Sequence, residues 1–197
     1  TDLNIMAPAA ADLATFSDYR GSTYPAVLFR GETPGDLVGP YVSQFLLRDI
    51  PYGTLTISQR QKTFLPGTNY LTDYTPWLAN KRGIAPSTSV TYDSTRRYIR
   101  NGRDLAPYVQ IDALYEAYLN ACLILMGLGA PLDAGNPYNG FTKTDAFGTF
   151  GGPHILSLVT EVATRALKAV WFQKWYVHRR LRPEEFGGRI HNHMTGA

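Results

Sequence analysis

The feature that most constrains this chain is a long apolar stripe that runs into a cluster of cations and a proline. Ile155, Leu158, Val159, Val162, Leu167, Val170, Trp171, Trp175 and Val177 recur at helical spacing, the mark of a helix with one buried face. Pro153 suits the first turn of such a helix. The stripe predicts one helix from about Pro153 to Leu181, roughly 43 Å long at 1.5 Å per residue. Arg182 precedes Pro183, and a residue before proline is pushed out of the helical region, so the helix must stop there. On that helix Lys174, His178 and Arg182 fall at i, i+4 and i+8, along one ridge. An ammonium and a guanidinium converging from one ridge can cradle an oxyanion, arginine by a bidentate fork and lysine by a movable charge. The negative end of the helix dipole favours the same cations with no ligand at all. Spacing alone leaves both readings open.

A second stripe, from Asp104 to Met126, carries Leu105, Val109, Ala113, Leu114, Ala117, Tyr118, Ala121, Cys122, Leu125 and Met126. It predicts a core helix stopped by Gly127 and Gly129. Shorter helices are expected near Gly35–Leu47 and Tyr74–Asn80, with a hairpin over Tyr52–Ser58. The 18 glycines and 13 prolines concentrate between these elements. Two long loops result, over 50–71 and 128–152, and loops of that length are usually functional or build interfaces. Glu184–Ala197 carries no helical stripe and is expected to be a loop. The fold class expected is mainly α with long loops.

With 44% hydrophobic and 18% charged residues in 197, the chain reads as one globular domain or part of a larger one. Net charge is +3, but Lys168, Lys174, Arg179, Arg180, Arg182 and Arg189 outweigh Glu184 and Glu185 within one short stretch. Basicity that local points to a small anion rather than to a nucleic acid, which needs a longer row of phosphate contacts. Cys122, the single cysteine, sits in an apolar helical context and is expected to be a packed thiol. No apolar run reaches 18 residues, so no membrane span is expected. His154, after Gly151, Gly152 and Pro153, is expected to shape a tight lead-in to the long helix. His191 and His193 lack neighbouring metal ligands and read as loop, and Glu184 and Glu185 read as charge compensation for the arginines. No Walker loop, Gly-x-Ser-x-Gly elbow or His-Glu-x-x-His occurs. No compartment is legible.

The segment Lys174-Trp-Tyr-Val-His-Arg-Arg-Leu-Arg182-Pro183-Glu-Glu resembles the first vanadate-binding motif of vanadium-dependent haloperoxidases, in particular the algal and cyanobacterial bromoperoxidase branch. Seven residues separate Lys174 from Arg182. Fungal chloroperoxidases and type 2 phosphatidic acid phosphatases usually have one fewer. The likeness continues less sharply through Thr149-Phe-Gly-Gly-Pro-His-Ile-Leu, Val109-Gln-Ile-Asp-Ala-Leu-Tyr-Glu-Ala-Tyr-Leu-Asn-Ala and the block that begins at Gly31-Glu-Thr-Pro-Gly-Asp. The resemblance implies a helical-bundle haloperoxidase core. It implies a vanadate cofactor whose oxygens Lys174 and Arg182 hold, with Lys174 also polarising bound peroxide. The complete enzyme would use hydrogen peroxide to oxidise a halide, bromide foremost, to a hypohalous acid equivalent that halogenates a small organic acceptor.

Trp171, one helical turn before Lys174, would wall the halide pocket or pack as an ordinary core tryptophan. His178 would donate from behind the site or sit between helices. Asp112 would pair with an arginine beyond this chain or remain solvated. The family's Ser-Gly-His segment and its vanadium-bonding histidine do not occur here. Residues 1–197 are therefore expected to be the central portion of a larger enzyme, beginning at Thr1 as a processed or trimmed chain. Such a portion would be inactive alone and would associate with the rest of a cleaved chain or with further copies of itself. Some algal relatives hold a structural calcium ion, and the loop Asn136–Asp145 could host one, though its ligand pattern is loose. Two alternatives stand beside the haloperoxidase reading. One is a phosphohydrolase like the phosphatidic acid phosphatases, in which the same cradle binds phosphate. The other is a non-catalytic scaffold or interface piece, which the 13% aromatic content would suit.

Overall fold

The computed structural model describes residues 34–196 together with positions 11 and 15. Residues 31–33, the start of the Gly31 block, lie outside the described residues. The architecture is mainly helical, with one small hairpin. Strands β1 (Ile50–Tyr52) and β2 (Leu55–Ile57) pair antiparallel, Ile50 opposite Ile57. The turn uses Gly53 at φ +61°, a conformation that costs glycine nothing. Five helices follow among the described residues: α1 (Tyr74–Lys81), α2 (Gly102–Gln110), α3 (Glu116–Gly127), α4 (Gly152–Trp171) and α5 (Pro183–Thr195).

The core sits where α3 packs on the hairpin and on the 3-10 turn Gln44–Leu47. Ile50, Phe64, Ile99, Cys122 and Ile124 are buried. Gly127 lets the end of α3 meet the hairpin, because a Cβ there would stand 2.4 Å from Pro51 Cγ. The polar anchor of this region is Asp104, buried in the first turn of α2. Its carboxylate accepts from the backbone N–H, Nε and Nη2 of Arg100, while its own N–H donates to the Asn101 side chain at 3.0 Å. Such a cap satisfies donors that a helix start leaves bare.

Helix α1 lies where the sequence places it, the hairpin is present but begins at Ile50, two residues before the expected Tyr52, and Cys122 is a buried free thiol, as expected. Four expectations are corrected. The 104–126 stripe is two helices, because the chain turns at 111–115 with Tyr115 in the left-handed region (φ +53°). Glu116, in the first turn of the new helix, braces that turn by accepting from the Ala113 N–H at 2.9 Å. The apolar spacing survives the turn, so periodicity merges the two.

The long helix does not reach Leu181. Its regular part ends at Trp171 and continues as a π-helix over Phe172–Val177, after which Arg179 adopts φ +46°. Wide-turn bonds close this end, from His178 N–H to Gln173 O (2.9 Å) and from Arg180 N–H to Lys174 O (2.8 Å). The supposed loop Glu184–Ala197 is instead helix α5, with Pro183 at its start, Glu184 and Glu185 in its first turn and Gly196 (φ +71°) closing it. Proline then acids is a helix-start signature, hidden here by Gly187-Gly188, which weakens the helical pattern. Finally, Gly35–Leu47 holds one helical turn (Pro34–Leu37) and the 3-10 turn, separated because Gly39 at φ +98° precedes Pro40.

Candidate functional site

The basic segment takes its shape from two irregularities that helical periodicity does not contain. The π-winding rotates Lys174 off a regular α ridge, and the left-handed Arg179 turns the chain before α5 begins. Lys174, His178 and Arg182 therefore do not form the expected continuous ridge. Lys174 lies within the π-helix, His178 caps it, and Arg182 is the extended N-cap of α5 (φ −68°, ψ 153°). π-Turns inside helices are frequent at functional sites.

The structure brings Lys174 and His178 together with Arg180, along a cleft of about 430 Å³ also lined by Ala169, Val170 and Gln173. Arg180 is the residue that sequence reasoning missed as a site candidate. On a regular helix it lies off the Lys174 ridge, and the wider turn places it beside Lys174. Lys174 Nζ stands 4.5 Å from the centre of the Trp175 ring, a cation–π contact that steers the ammonium while leaving its hydrogens for a ligand. Arg182 is 68% exposed and lies outside that cleft's lining. Its Nη1 is 3.7 Å from Glu184 Oε1, and the same oxygen is 3.3 Å from Lys81 Nζ. The Glu184 carboxyl is held below its ordinary value by its own backbone N–H, then by the Lys81 hydrogen bond and the Lys81 and Arg182 charges, against the opposing cost of burial. Glu185 pairs with Arg189 at 3.6 Å. Both carboxylates thus compensate cations.

The remaining candidates fall elsewhere. Trp171 ends α4 and is 53% exposed, so it is not packed as a core tryptophan among the described residues. His178 is also exposed, which corrects its placement between helices. Asp112 is exposed at the edge of a separate apolar groove of about 740 Å³, formed by the turn before α3 and by Leu158, Val162 and Val170 of α4. Its charge, after burial and Glu116, contributes to pushing the Tyr108 hydroxyl up to about 12.

His154 does shape the start of α4. Its Nδ1 accepts from the Phe150 N–H at 2.9 Å, with Phe150 at φ +58° and its ring edge-on to the imidazole. His191 lies on α5, not in a loop, and stacks on Tyr74 with ring centres 4.4 Å apart. In the Asn136–Asp145 loop, Asn136 donates to Phe150 O and Asn139 to Asp133 O and Ala134 O. Among the described residues no group of three or more His, Cys, Asp or Glu is placed to hold a metal ion. Burial pushes the Cys122 thiol up, away from nucleophilic chemistry. No described helix is long and apolar enough to cross a membrane.

Lys174 and Arg180 present hydrogen-bond donors of one charge along the cleft they line, with Arg182 beyond its lining; donors of that kind can bind the oxygens of an oxyanion. No family model matches the chain. The vanadium-dependent bromoperoxidase of Corallina pilulifera is 44% identical over 205 residues, covering 87% of this chain and 33% of the relative. That of Corallina officinalis is 43% identical over the same shares. That of Ascophyllum nodosum is 35% identical over 171 residues, covering 86% of this chain and 30% of the relative. The homohexameric structure of the second vanadate-dependent bromoperoxidase of Ascophyllum nodosum superposes with a TM-score of 0.70 at 34% identity, over 83% of this chain and 27% of that one. The chain spans about a third of the length of the relatives it matches. Over most of its length, then, this chain is homologous to one stretch of the vanadium-dependent bromoperoxidases and shares their helical fold there.

Proposed function

We propose that this chain supplies the first vanadate-binding segment of a vanadium-dependent haloperoxidase that oxidises bromide with hydrogen peroxide and so halogenates a small organic acceptor. The observation that carries the reading is the Lys174-to-Arg182-Pro183 segment, set on an irregular helix end in a chain 44% identical to such an enzyme. Arg182 would offer its fork to two oxygens of vanadate, and Lys174 its ammonium to the others. Bound vanadate would supply a Lewis-acidic centre at which peroxide becomes reactive toward halide. Lys174 and Arg182 would neutralise the charge of the anion, letting a second anion, the halide, approach. Held in place by Trp175, Lys174 would also withdraw charge from the reacting oxygens without reorganising, the preorganised electrostatics that contributes most to many enzymes.

Further binding groups, among them the histidine that bonds vanadium, would come from segments outside these 197 residues, and the chain alone would have little activity. Homo-oligomers are part of the same proposal, since the structural relative is a homohexamer. The test is bromide oxidation by hydrogen peroxide in the full-length protein, with and without added vanadate. Activity that requires vanadate and falls about a hundredfold in Lys174→Ala, the size expected for losing one charge-stabilising donor, supports the reading. Phosphate ester hydrolysis without halide oxidation would replace it by a phosphohydrolase.

A further inference from the structure

Helices α1 and α5 lie against each other through one face each. On α1 that face is Tyr74, Trp77 and Lys81; on α5 it is His191, Gly188 and Glu184. The pairs run antiparallel: Tyr74 stacks on His191, Trp77 lies on Gly188, and Lys81 meets Glu184 at 3.3 Å. Gly188 sets the spacing, because a Cβ there would stand 1.8 Å from Trp77 Cη2. That close approach carries the first turn of α5 to the last turn of α1, where Lys81 waits. Arg182, two residues before Glu184, is fixed in its backbone as the N-cap, its carbonyl accepting from the Phe186 N–H at 3.0 Å.

We propose that Glu184, anchored by Lys81, is a positioning residue for Arg182. The inference rests on Arg182 being a vanadate-binding group, as proposed above. A long arginine side chain at 68% exposure must lose rotamer freedom when it grips an anion. Glu184 restricts that freedom beforehand by engaging one terminal nitrogen, Nη1, at 3.7 Å. A guanidinium has five N–H donors, so the rest of its fork stays available for a bidentate grip. Lys81 keeps the carboxylate from neutralising Arg182: it shares the same oxygen at the shorter distance, and the three groups together retain one positive charge. Glu184 is thus oriented from a helix about a hundred residues upstream, and it acts on the anion only through Arg182.

The test is vanadate binding, measured by equilibrium dialysis of orthovanadate against the vanadate-stripped full-length protein. Glu184→Gln keeps size and hydrogen-bonding shape and is expected to raise the vanadate Kd about three- to fivefold, the upper range for an exposed ion pair, with only a small fall in melting temperature. Lys81→Met is expected to raise it about twofold. Glu185→Gln, which removes the neighbouring Arg189 pair instead, should leave it alone. In an Arg182→Gln background neither Glu184→Gln nor Lys81→Met should have any further effect. A Glu184→Gln protein that binds vanadate as tightly as the parent, or more tightly, overturns the proposal, and so does an effect that persists without Arg182. If Arg182→Gln itself leaves the Kd unchanged, the vanadate role of Arg182 fails first and the positioning role with it.

Discussion

Helices α3 and α4 pack on one another, yet they are built to different ends. α3 is seated on the hairpin and buries Cys122 and Ile124. α4 is longer and clearly amphipathic, yet none of its residues is buried. Leu158, Val162 and Val170 are left open along a groove of about 740 Å³. An apolar face tells that a helix is made to be covered, and a contiguous exposed apolar surface marks an interaction site. It does not tell against what. α3 finds its cover among residues of this chain; the face of α4 is open among the described residues. In the proposed larger enzyme, that face would meet other segments.

The comparison can be broken by making the same kind of truncation on both helices. Ile124 is 2% exposed, and Ile124→Ala should cost about 3 kcal/mol of unfolding free energy in urea titrations. Val162 is 61% exposed, and Val162→Ala should stay within about 0.5 kcal/mol in this chain. Equal costs would mean that the α4 face is covered. A second change sharpens the account of α5. Gly188→Ala should cost about 2 kcal/mol through collision with Trp77, more than the roughly 1 kcal/mol that alanine gains over glycine in a helix; a raised melting temperature would show the α1 contact to be loose. At the start of α4, His154→Ala removes the acceptor for the Phe150 N–H and should cost about 1 kcal/mol. Hydrogen exchange at that amide would report it directly.

The smallest effect is the pH dependence of Glu184. Its carboxyl titrates below the ordinary 4.5, so its contribution to stability is fully present above the unfolded value. That contribution is lost as pH falls through the lower folded value. Carboxyl NMR titration of the parent and of Lys81→Met should show the Glu184 midpoint rising in the variant; an unmoved midpoint would mean that Lys81 does not hold it.

Much of this was legible beforehand, for specific reasons. Helix α1, the hairpin and the body of α4 carry their own patterns. Cys122 sits in an apolar helical context that favours burial, and Gly-Gly-Pro-His at 151–154 marks a tight helix start. Other features were illegible because the sequence pattern is blind to them. Tyr115 and Arg179 adopt left-handed backbone with side chains that normally avoid it. The π-winding at Phe172–Val177 leaves apolar residues spaced almost as in an α-helix, and its consequence, Arg180 beside Lys174, follows only from the wider turn. Helix α5 was missed because two adjacent glycines dilute its stripe, although Pro183-Glu184-Glu185 announced its start.

The sequence by itself determined the chemistry of the basic segment, the mainly helical class and which helix faces are apolar, because residue type and period are local properties. Only the tertiary structure decided that Gly188 lies on Trp77 and that Lys81, distant in the chain, shares a carboxylate oxygen of Glu184 with Arg182. Close approach depends on which two surfaces meet, and no local period encodes that choice.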